Sequence, residues 1–115
     1  MKILTAIIGA LALVAGVAAQ AHHSAAPYDN KKLIHVSGTV AAMRYTNPHI
    51  MIKLMTSKGM FAVEGSSVNQ LARKGWTRTT INPGDKVTMD LWPLRDGGQG
   101  GFMISIRLPS GKILK

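Results

Sequence analysis

The sequence predicts an all-β fold with one short helix, and three observations predict it. Apolar and polar residues alternate along five separate runs after residue 32. One segment alone switches to a helical spacing, and proline, asparagine and glycine stand between the runs at turn-forming positions. With 115 residues and no cysteine, the chain makes one domain that rests on packing, without disulfides, thiolate metal centres or a cysteine nucleophile. A domain of this size buries roughly 60 to 65 per cent of its unfolded surface, so each core-facing strand position counts.

From Ile3 to Ala19 the chain is almost wholly apolar, with Lys2 before it and Ala19-Gln20-Ala21 after it. This is the pattern of a secretory signal peptide, residues 1–21, cleaved after Ala21. Gly9, Gly16 and the many alanines make it weak as a membrane anchor, which needs about 20 strongly apolar residues. The expectation is a periplasmic or secreted protein that begins at His22 and keeps no transmembrane anchor after processing. Residues 22–32 read as a flexible lead, and 33–115 as the folded domain.

The first strand is "LIHVSGTVAAMRY", with Ile34, Val36, Val40 and Ala42 on the inward parity. Gly38 interrupts that parity and predicts a bulge or a sharp bend. Thr46-Asn47-Pro48 ends the strand, because proline lacks a ladder donor and restricts the residue before it. Asn47 and Pro48 therefore read as turn-formers, with the Asn47 side chain available to its own backbone. The runs "HIMIKLMTS" and "MFAVEG" form a hairpin around Lys58-Gly59. Pairing Ser57 with Met60 sets Leu54 opposite Val63, and Lys53 opposite Glu64 as an ion pair.

In "SSVNQLARKGW" the period lengthens: Ser67 and Gln70 form a capping box, and Gly75 ends a helix of about two turns. Val68, Leu71 and Ala72 give that helix its apolar edge, with Trp76 packed beneath. "INPGDKV" turns the chain into "KVTMDLW", with Val87, Met89 and Leu91 inward. "PLRDGGQGG" reads as a mobile glycine-rich loop, and "FMISIRL" as a last strand with Phe102, Ile104, Ile106 and Leu108 inward. Strand, strand, strand, helix, strand, strand, with a long bent first strand, is the order of a five-stranded OB-like barrel.

"HHS" at the processed terminus, "TNPHI", "VEG", "GW", "PGDKV" and a late "PSGK", in this order, resemble domain-of-unknown-function family 6152, a family of small exported bacterial proteins. The likeness spans nearly the whole chain after Ala21. It implies export and a small β-rich domain, and it draws attention to His22, His23, Asn47, Pro48 and His49. It implies no reaction. Tyr45 stands where the family pattern more often carries tryptophan.

The residues present no catalytic constellation. There is no Ser/His/Asp spacing, no H-E-x-x-H and no P-loop, and the five carboxylates offer no converging pair. The expectation is a non-catalytic binding protein with no certain cofactor. Copper is the candidate the chemistry singles out: a chain that begins at His22 offers an α-amine and an imidazole that together close a six-membered chelate ring, and imidazole nitrogen suits divalent copper. His49 or His23 would supply a third nitrogen, and His49 shares the outward parity of Met51, Lys53 and Met55.

Of the seven methionines, Met51, Met55, Met60 and Met103 fall on outward parities, so Met51 and Met55 mark a candidate soft-metal surface. Methionine is equally a gap-filler in small cores, and paired histidines near a terminus are equally a solvated lead. The formal charge of +9 suits anionic surfaces. The alternative function is accordingly an envelope binding or stress module that recognises an anionic glycan, peptide or protein by its outer sheet surface. Cations scattered along the chain and only six aromatic residues argue against nucleic acid.

Overall fold

The computed structural model describes residues 27–115. The expected signal peptide, 1–21, and the pair His22 and His23 lie outside the described residues. Six strands and one helix follow in the order β1 (Ile34–Arg44), β2 (Met51–Thr56), β3 (Gly59–Glu64), α1 (Val68–Arg73), β4 (Lys86–Pro93), β5 (Gly100–Arg107) and β6 (Ile113–Leu114). The sheet runs β3-β2-β1-β4-β5-β6, and a parallel pairing of β3 with β5 closes it into a five-stranded barrel. The two-residue β6, which the alternation did not reveal, is added outside that closure along β5. Among the described residues no helix is long and apolar enough to cross a membrane.

The long first strand serves two neighbours in turn. Its first half pairs with β4, from Ile34–Leu91 to Thr39–Lys86, and its second half pairs with β2, from Thr39–Met55 to Arg44–Met51. Gly38 sits at the handover, where an added Cβ would lie 2.3 Å from the Met55 carbonyl oxygen and 2.9 Å from Leu54 Cγ. It marks the bend and the close approach, whereas the bulge lies three residues on, at Ala41. One extra residue inverts the faces beyond it. Ala42, expected inward, is therefore exposed, and Met43 packs against the core instead.

A second bulge corrects β5 in the same way. The register passes from Asp90–Ser105 to Leu91–Met103, skipping Ile104. Met103, expected outward, is buried against Leu91, while Phe102, expected inward, turns out onto Trp92. In the hairpin the expected faces hold, and Ile52, Leu54 and Val63 are fully buried with Phe61 beside them. The expected pairing is displaced by two residues: Ser57-Lys58 make the turn, Thr56 pairs with Gly59, and Leu54 faces Phe61. Gly59 takes φ +103°, the left-handed position that follows such a turn. Lys53 consequently faces Ala62, and Glu64 faces Met51.

The helix forms where expected. Ser67 accepts a hydrogen bond from the Gln70 N–H at 3.1 Å, and Gly75 closes the other end at φ +92°. Leu71, Trp76 and Ile81 join the barrel core, whereas Ala72 is exposed. Tyr45 is buried too, with its hydroxyl on the Trp76 carbonyl and the Arg78 guanidinium over its ring at 5.9 Å. Each fully buried aliphatic side chain contributes about 1.5–3 kcal/mol.

Of the residues assigned above to the lead, 27–29 are bonded to the end of β4 and the two residues after it. Asp29 N–H donates to the Pro93 carbonyl, Arg95 N–H donates to the Pro27 carbonyl, and Tyr28 is only 6 % exposed. The glycine-rich run is shorter as a loop than expected, because Leu94 bridges to Tyr28 while Gly100 and Gly101 enter β5.

Candidate functional site

His49 lies one residue before the core-facing Ile50, at the mouth of the β2–β3 hairpin. The ladder extends that far: Ile50 N–H donates to Ser66, and Gly65 N–H donates to Ile50 at 2.9 Å. The imidazole therefore leaves the barrel on the outward side. There its Nδ1 lies 2.9 Å from the Gly65 carbonyl and 3.6 Å from Glu64 Oε1. A carbonyl can only accept, so Nδ1 carries the hydrogen, and Nε2 is the ring nitrogen not used in that bond.

Glu64 is held from its other oxygen. The Tyr28 hydroxyl donates a short hydrogen bond to Glu64 Oε2, so residue 28 is fastened beside the His49 ring. Burial, then the hydrogen bond to Glu64 and its negative charge, push the Tyr28 hydroxyl far above the ordinary phenol range, which keeps it a donor. Phe102 completes the wall, tilted against Tyr28 at 5.7 Å, edge-on to His49 at 6.5 Å and stacked on Trp92 at 5.8 Å.

Asn47 and Pro48 set the turn that delivers His49, through a cis Asn47–Pro48 bond. The Asn47 side chain does not serve its own backbone. Its Oδ1 accepts from the Val68 N–H at 3.1 Å, tying the turn to the first residue of α1. Asn47 and Ser67 thus cap two different amides of one helix end.

Among the described residues no three histidine or acidic side chains converge to hold a metal. Glu64 Oε1 lies 3.6 Å from His49 Nδ1, the nitrogen bonded to Gly65, and not from the ring's other nitrogen, while the remaining candidates His22 and His23 lie outside the described residues. Those residues stand six and five positions before Tyr28, and six residues of extended chain span at most about 20 Å. Of the soft-metal candidates, Met51 faces Glu64, whereas Met55 pairs with Met60 further along the hairpin.

Residue-by-residue reading of the sequence missed Tyr28 and Glu64 as parts of this site. Glu64 was assigned to Lys53 by the displaced register, and Tyr28 sat in the expected lead. An isolated tyrosine after Pro27, ahead of the alternating runs, carries no periodic signal.

A second polar chain runs from the first half of β1 across β4 to β5. His35 Nδ1 meets Asp90 Oδ1 at 2.5 Å, and Ser105 Oγ donates to Asp90 Oδ2 at 2.7 Å. Those two hydrogen bonds, Ser105's the larger, hold the Asp90 carboxyl below the usual carboxylate range. The carboxylate stands between the serine and the histidine, so the histidine cannot take the serine's proton, and this is not a nucleophile.

No match is found among curated proteins. The model of one family, described as a family of unknown function, matches residues 10–103, most of the chain. By that match the protein belongs to the family of unknown function DUF6152.

Proposed function

We propose that this is an exported, non-catalytic binding protein that holds divalent copper between its processed amino terminus and the barrel. The α-amine and imidazole of His22 supply two nitrogens, and His49 Nε2, or failing that His23, supplies the third. The observation that supports this reading best is the hydrogen bond from His49 Nδ1 to the Gly65 carbonyl. Histidine ligands characteristically donate their second ring nitrogen to a carbonyl or carboxylate, which orients the ring and frees the other nitrogen. Tyr28 adds to it, because its bond to Glu64 anchors the chain near His49 within the reach of His22.

The test is copper(II) titration of protein that begins at His22, beside the same protein with one extra amino-terminal residue. Two donors on one residue lose little chain entropy on binding, so blocking the amine is expected to weaken affinity at least tenfold. His49→Ala is expected to weaken it without unfolding the domain. Equal affinity for the two amino termini would remove the amine from the ligand set.

A second reading, recognition of an anionic glycan, peptide or protein, is favoured by a furrow of about 580 Å³ across β1, β4 and β5. Ser37, Thr39, Thr88, Lys86 and Arg107 line it, offering hydroxyls beside two cations. Binding there is indifferent to the extra amino-terminal residue, so the same pair of proteins separates the two readings.

A further inference from the structure

We infer that His49 and Met51 together form a nitrogen–sulfur site for a monovalent soft cation, copper(I) or its analogue silver(I). This rests on the reading of His49 as a metal ligand and adds the oxidation state that the barrel side of the site favours. The geometry selects Met51 among the methionines. His49 and Met51 flank the fully buried Ile50, so both leave the strand on the outward side, about 7 Å apart along it.

Glu64 locates both residues at one spot. It is the direct cross-strand partner of Met51, and its Oε1 lies 3.6 Å from His49 Nδ1. Glu64 is itself engaged by Tyr28, and His49 Nδ1 by Gly65, so the pair would bind through Nε2 and the thioether of the half-buried Met51, which lies beside Met43, Arg44 and Lys53. Among the other described methionines, Met43 lines a surface hollow with Met51. Met89 and Met103 are buried, and Met43 also packs against the core. Met55 and Met60 face each other four residues further along β2, roughly 13 Å away at strand spacing.

Thioethers select monovalent copper, whereas amine and imidazole nitrogens hold the divalent ion. A flexible methionine beside a fixed imidazole suits the low coordination numbers of the monovalent ion. The site would thus hold copper(I) by His49 and Met51 even where the amino terminus is not engaged. Only ligand binding is involved, and no electron transfer is required of the protein.

Silver(I) is the probe, since it does not change oxidation state. Protein labelled at the methionine methyl groups is titrated with silver(I), and the Met51 methyl signal is expected to shift first, complete near one equivalent. Met51→Leu, similar in volume, is expected to lose at least tenfold in silver(I) affinity while its copper(II) affinity changes less than twofold. A melting curve checks that this variant is folded, and Met51→Gln, which keeps length without sulfur, serves as the second variant. Earlier shifts at Met55 and Met60, or unchanged silver(I) affinity in both variants, would overturn the inference. If the extra amino-terminal residue leaves copper(II) affinity unchanged while Met51 still responds to silver(I), the amine chelate fails and the nitrogen–sulfur pair stands.

Discussion

Asp90 shows how a single side chain sets a pH dependence. Its carboxylate accepts from Ser105 and His35, and both bonds favour the charged form, so its folded pKa lies below the unfolded value of about 3.9. A depressed carboxyl stabilises the fold above the unfolded pKa, and that stability is lost as pH falls through the folded one. The melting temperature is therefore expected to drop on acidification below about pH 4. Asp90→Asn should melt lower at neutral pH and show a flatter acid limb. Thermal melts at several pH values check this, and an equally steep acid limb in the variant would mean that other carboxyls carry it. Tyr28 and His49 belong to the same scale. Each has a polar atom whose partner lies far away in sequence, Glu64 for the one and Gly65 for the other, so neither bond could be read from local spacing.

At the scale of elements, β1 carries the fold, because one strand must bend to serve both β2 and β4. Gly38→Ala puts a methyl carbon 2.3 Å from the Met55 carbonyl, and backbone on both strands must move. The expected loss is about 1–3 kcal/mol, visible as a lower midpoint in a denaturant melt with an unchanged slope. Wild-type stability would show that the strands separate freely there. Why Gly38 was legible in the sequence and Ala41 was not follows from the chemistry. A missing side chain on an apolar parity is a local sign of a close approach, while an alanine bulge looks like any other small strand residue. The same blindness applies to Ile104, and its consequence was the exchange of Met103 and Phe102 between the core and the outer face. The hairpin shows a third case. A slip of two residues keeps every face, so alternation alone cannot detect it. The turn geometry at Ser57-Lys58 decides the register, and with it which residue faces Glu64. The place of the short helix was legible because its cap is a local motif, Ser67 with Gln70, although Ala72, expected on its apolar edge, is exposed.

Over the whole molecule, closure joins the middle of the chain to its later part. The parallel β3–β5 seam brings Glu64 beside Phe102, and the strap at Tyr28 lies across that seam, its ring on Phe102 and its hydroxyl on Glu64. Parallel pairing joins segments distant in sequence and has no turn to announce it, which explains why the order of elements was readable while the site at the seam was not. The strap's energetic weight can be separated from its hydrogen bond. Tyr28→Ala removes a ring that is 6 % exposed and is expected to cost about 3–5 kcal/mol, a large share of a typical 5–15 kcal/mol. Tyr28→Phe keeps the ring and loses only a bond to a charged group, about 1.5–3 kcal/mol. The two melts should fall in that order. Hydrogen exchange adds a local reading, since the Asp29 and Arg95 amides, bonded to Pro93 and Pro27, should lose protection in Tyr28→Ala before the β4 ladder does. If Tyr28→Ala melts like the wild type and keeps both amides protected, residues 27–29 are held by their backbone alone. The anchor that holds Tyr28 beside Glu64 and Phe102 would then have to be sought in those backbone bonds.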